Sequence, residues 1–145
     1  MYIENLIDDL QALASKEFQK VAWFENNQGL SASYGSSVSD LFDDHNLKEI
    51  LHEKGAVLIN TKVHQALQEL YAVVDNVGYN KSQEEIIDSP EMQIVREKAA
   101  SILELIKASD GSESTVDFVK VGTSDVKISI QDAFKSASLL TQYPI

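Results

Sequence analysis

The sequence predicts a mainly α fold: a helical bundle of five to seven helices, then a C-terminal β-hairpin at about residues 115–130 and a final short helix. Three observations predict it. Apolar residues recur at three- and four-residue spacing over most of the first 110 positions, the signature of helices with one buried face. Past Gly111 the apolar period falls to two, as in a half-buried strand. Capping signals stand at Asn60, at Ser89-Pro90-Glu91 and at Ser129, where each helical run would begin. The 145 residues contain 43% hydrophobic side chains and no Pro/Gly-rich stretch, so one domain, 1–145, is expected. Folding at this length hides about two-thirds of the unfolded surface, enough to hold a core without covalent staples.

The elements follow in order. From Tyr2 to about Phe24, Ile3, Leu6, Ile7, Leu10, Leu13 and Ala14 share a stripe that Phe18, Val21 and Ala22 continue. This is one long helix or two, broken near Ala14–Ser15. Glu25 to Gly29 reads as a loop. Ser36 or Ser37 is expected to cap a short helix carrying Val38, Leu41 and Phe42, which ends at Asp43-Asp44-His45-Asn46. Leu47 to Lys54 is another short helical piece, with Gly55 at its C′ position.

Asn60 caps the clearest helix, where Val63, Leu67, Leu70, Val74 and Val77 keep four-three spacing until Gly78. Ser82 to Ile87 is a brief helical turn. Ser89-Pro90-Glu91 combines a cap, a first-turn proline and an acid, and the helix it starts runs through Lys107. Val116 and Phe118, then Val126, Ile128 and Ile130, alternate with polar residues on either side of Gly122-Thr123-Ser124, which reads as the hairpin. Ser129 with Asp132 resembles a capping box for a last helix carrying Ala133, Phe134, Ala137 and Leu140. A hairpin alone is marginal, so it must lean on the helices or add an edge to something.

The net charge is −11, and the excess is uneven. Residues 1–60 carry ten acids and four bases, 61–110 nine and five, and 111–145 four and three. Such a surface repels phosphate backbones and anionic lipid, which disfavours direct nucleic-acid or membrane binding. It steers a basic protein toward itself. Arg96 is the single arginine, so the usual bidentate ligand for phosphate is scarce. The absence of cysteine excludes a disulfide framework, thiolate metal sites and a cysteine nucleophile. Met1 to Asp9 shows neither a basic nor an apolar signal region, and no apolar run approaches the roughly 20 residues of a membrane span. A cytoplasmic protein, monomeric or weakly dimeric, is the expectation.

Catalytic and metal chemistry find little to build on. Glu49 and His52 make the one Glu-x-x-His, half of a di-iron bundle motif, and no second copy exists. His45, His52 and His64 lack the paired spacing common in three-histidine metal sites. Ser31, Ser33, Ser36, Ser37 and Ser39 contain neither Gly-x-Ser-x-Gly nor Ser-x-x-Lys. Tyr34-Gly35-Ser36-Ser37 lacks the lysine of a phosphate-binding loop. Asp43 and Asp44 are sequence neighbours that do not face one another on a helix. The expectation is therefore no enzyme, no cofactor and no metal.

What remains is surface. Asp40, Asp43, Asp44, Glu49 and Glu53 fall within fourteen residues, opposed by Lys48 and Lys54. Asp8 with Asp9, and Glu84, Glu85 with Asp88, form two smaller groups. Interface hot spots favour aromatic residues, and Trp23 and Tyr34 lie near the acids in sequence. The candidate partner-binding residues are thus Asp40, Asp43, Asp44, Glu49, Glu53, Trp23 and Tyr34. For Trp23 a role as a core anchor competes with this one.

Several segments stand in a familiar order. Gln19-x-x-x-Trp23 precedes a polar loop, and Leu41-Phe42-Asp43-Asp44 follows with Leu47 behind it. Next come the Gln65 to Val77 helix and Ile87-Asp88-Ser89-Pro90-Glu91-x-x-x-Val95 with Ala99. Over about residues 15–105 this order resembles small helical bacterial immunity proteins of contact-dependent inhibition and related polymorphic toxin systems. Met92 stands where that family often has tryptophan, and the hairpin lies outside the match. The resemblance implies a cognate toxin domain as partner, and the acidic charge adds the expectation that this partner is a basic protein, a nuclease whose phosphate track an acidic surface can occupy. It assigns no residue roles. Two other classes stay open on the residues alone: an adaptor for another basic protein, and a small metal-dependent enzyme.

Overall fold

The computed structural model describes residues 2–24, 32–116 and 129–145, and all its regular structure there is helical. The elements are α1 (Ile3–Ala14), α2 (Lys16–Gln19) continued by a π-helical turn (Lys20–Phe24), α3 (Tyr34–Phe42) and α4 (Leu47–His52). They continue with α5 (Thr61–Val74), α6 (Gln83–Asp88), α7 (Pro90–Lys107), α8 (Ile130–Ser136) and α9 (Ser138–Gln142).

Helix α1 is the centre of the bundle. It packs along α7, and α3, α8 and α9 cover its other sides. That position explains its broad apolar face: Ile3, Leu6, Ile7, Leu10 and Leu13 are fully buried, joined by Ala12 and Gln11. Each such aliphatic side chain contributes about 1.5–3 kcal/mol through burial. The stripe breaks where the sequence predicts. Ser15 is extended, and its Oγ accepts from the Phe18 N–H at 3.1 Å, which starts α2. Helix α5 also packs on α7 and buries Val63, Leu67, Leu70 and Val74 at the predicted spacing.

The predicted caps at Asn60, Ser89 and Ser129 accept from the backbone N–H of Val63, Met92 and Asp132, and Ser82 caps α6 in the same way through the Glu85 N–H. At α3 the cap is instead Ser33, with Ser36 reciprocating from the third helical position. Ser36 and Ser37 therefore lie inside the helix, because a capping box needs its two partners three residues apart. Helix α4 stops at His52, which leaves Gly55 (φ +83°) one residue later than the C′ position. Helix α5 stops at Val74, ahead of the positive-φ Gly78. The last helix is two pieces, parted at the extended Ala137.

The hairpin expectation needs correction at both ends. Thr115 donates its N–H to the Val57 carbonyl at 2.8 Å and Val116 is half-buried, but neither is in a strand. Ile130 opens α8 and is buried. The cap at Ser129 overrides the alternating pattern there, because its bond to the Asp132 N–H commits the following residues to a helix. The centre of the proposed hairpin, 117–128, lies outside the described residues.

Asp8 does work that its sequence neighbourhood does not reveal. Helix α9 has Ala137 at its N-cap, and alanine has no acceptor to offer. Asp8 of α1 supplies it: Oδ1 accepts from the N–H of Leu139 (2.8 Å) and Leu140 (3.2 Å), and Oδ2 from the N–H of Ser138 (3.1 Å). A carboxylate at a helix N-terminus satisfies orphan donors and matches the helix dipole. Asp8→Ala is expected to cost about 1–2 kcal/mol, read as a lower denaturation midpoint with faster amide exchange across α9.

Gln19 and Arg96 form a second buried link. Gln19 is fully buried, and its Nε2 donates to the carbonyls of Ala12 (3.0 Å) and Leu13 (2.9 Å) at the end of α1. Its Oε1 accepts from Arg96 Nη1 of α7 at 2.9 Å, while Gln93 Oε1 takes the Nε and Nη2 donors of the same guanidinium. Burial pulls the Arg96 pKa down, against the opposing pull of Asp88 and Glu97. The single arginine therefore ties α2 to α7 rather than facing a ligand.

Candidate functional site

The acids of the densest run are all exposed. Asp40 is on the last turn of α3, Asp43 is the residue that ends it, and Asp44 follows in the turn to α4. All three are exposed, as are Glu49 and Glu53 on and just after α4. Ser39 Oγ donates to Asp43 Oδ2 at 3.0 Å. Asp9 of α1 comes in from the side, where its Oδ2 meets His45 Nε2 at 2.5 Å. Of the other acidic groups, Asp8 and Asp9 are thus engaged in internal contacts. Asp88 lies 3.9 Å from Lys16.

The placement of the three aspartates runs against local stability. The C-terminal end of a helix carries the negative end of its dipole, which favours cations. Here α3 ends instead in Asp40, Asp43 and Asp44. Partial burial, the charge of Asp9, and the hydrogen bond and charge of Asp44 push the Asp40 pKa up, against the pull of His45.

A carboxyl whose folded pKa is raised contributes stability below its unfolded pKa, about 3.9, and that contribution is lost as pH rises through the folded value. Asp40→Asn removes the charge. It is expected to raise the melting temperature at pH 7, with the gain shrinking toward zero by about pH 3, where both side chains are neutral. Melting curves of the two proteins across that range check it.

The aromatic residues expected at this surface are not there. Trp23 and Tyr34 are buried. The Trp23 indole N–H donates to Ser37 Oγ at 3.1 Å, and the Tyr34 hydroxyl donates to the Val74 carbonyl at 2.6 Å. Their rings meet edge-on at 5.8 Å. Burial, ahead of the nearby Tyr79 and Asp75, pushes the Tyr34 phenol pKa up. Both side chains anchor the core, because a buried ring whose polar tip finds a partner is stable there.

The structure offers Tyr79 instead. It is 52% exposed and its ring lies 5.7 Å from that of Tyr34. Its hydroxyl donates to Asp75 Oδ1 at 3.2 Å. Partial burial, then Asp75, then the charges of Asp43 and Tyr71 push its pKa up, and its ring lies against Gly35 at the start of α3. The sequence signal that marks it is context: a tyrosine set among Gly78, Asn80, Lys81 and Ser82, outside any apolar stripe.

The histidines separate. His45 pairs with Asp9. His52 meets the Lys48 carbonyl through Nδ1 at 2.6 Å and lies edge-on to Tyr71 at 5.6 Å. His64 Nδ1 accepts from the Leu58 N–H at 3.2 Å. Among the described residues no three His, Asp or Glu side chains are grouped to hold a metal. No helix there is long and apolar enough to cross a membrane. Comparison of the chain with protein-family models, curated proteins and solved structures yields no match.

Proposed function

We propose that this chain is a protein-binding module whose acidic face, Asp40, Asp43, Asp44, Glu49 and Glu53 with Tyr79 at its edge, docks a basic protein. The observation that carries the reading is the clustering of exposed carboxylates at the end of α3, where the helix dipole and their mutual repulsion both oppose them. Charge held against local stability is what a binding surface requires, since sequences break local rules where function demands it. The face attracts a cationic partner at range and speeds encounter. Tyr79 supplies the rigid aromatic area typical of interface hot spots.

The partner we propose is a cognate toxin domain, a nuclease, held inactive in the cytoplasm. Two arguments support it: the likeness of residues 15–105 to immunity proteins, and the match between an acidic inhibitor and a phosphate-binding surface. A nuclease lines its substrate track with Lys and Arg, so a carboxylate-rich face fits the same track and excludes the nucleic acid. No catalytic step is assigned to this chain. The test is co-expression with the product of the adjacent upstream gene. Growth rescue together with a co-purifying complex supports the proposal; a toxic product that is neither neutralised nor bound overturns it. A complex with a non-toxic basic protein favours the adaptor reading.

A further inference from the structure

We draw no further inference here: the strongest candidate, the crevice of about 460 Å³ between the α1–α2 joint, Ala100 of α7 and the tail Tyr143–Ile145, carries nothing because nothing in the structure shows what covers it, and its one unpartnered buried acceptor, Gln11 Oε1, is sealed from solvent.

Discussion

Replacing Trp23 with alanine is expected to destabilise the protein by about 3–5 kcal/mol, a large part of the stability of a domain this size. The indole is 4% exposed, packs edge-on against Tyr34, and gives its N–H to Ser37. Truncation removes that burial and leaves a cavity between the π-helical turn and α3. It also leaves the Ser37 hydroxyl, in a buried residue, without its indole donor. Trp23→Phe keeps most of the volume and loses the hydrogen bond, so its cost is smaller, about 1–2 kcal/mol. Chemical denaturation of the free protein measures both. An interface role for Trp23 predicts the opposite pattern, normal stability with lost binding.

Gln19→Leu is the second large effect, at about 3 kcal/mol. Leucine keeps the bulk but frees the Ala12 and Leu13 carbonyls, and it removes the acceptor that Arg96 Nη1 uses. Arg96 is 6% exposed, and among the described residues no carboxylate lies within ion-pair distance of it. A buried charge that loses a partner costs more than a neutral group does. Arg96→Met restores the balance from the other side: the double variant Gln19→Leu/Arg96→Met is expected to be less destabilised than the sum of the two single changes. Additive costs would show that the two side chains act independently.

Both predictions rest on residues the sequence marks without explaining. Gln19 and Trp23 stand four residues apart in one short segment, and both are core. Helical stripes and local caps are legible because their determinants lie within a few residues: Asn60 with Val63, Ser89 with Met92, Ser129 with Asp132. The reading fails where the deciding partner is far along the chain. Asp8 caps a helix 131 residues away, and Arg96 reaches Gln19 across 77. Ile130 fits both an alternating strand and a capped helix, and the Ser129 cap decides for the helix, which buries it against the bundle. In the same way, the run of acids from Asp40 to Glu53 is plain in the sequence, but which aromatic residues stay exposed is not. Trp23 and Tyr34 are near in sequence and turn inward, while Tyr79 arrives from beyond α5.

The acidic face is the centre of the functional account, and association kinetics reach it most directly. The measurement is the on-rate of the wild-type chain and of the variant Asp43→Lys/Asp44→Lys/Glu53→Lys with the co-purified product of the adjacent gene, over a series of salt concentrations. All three positions are exposed, so the fold is expected to survive, with an unchanged far-ultraviolet circular dichroism spectrum as the control. The account predicts that the variant associates about tenfold or more slowly at low salt and that its on-rate depends less on salt. An on-rate and salt slope equal to those of the wild type would place the interface on another face.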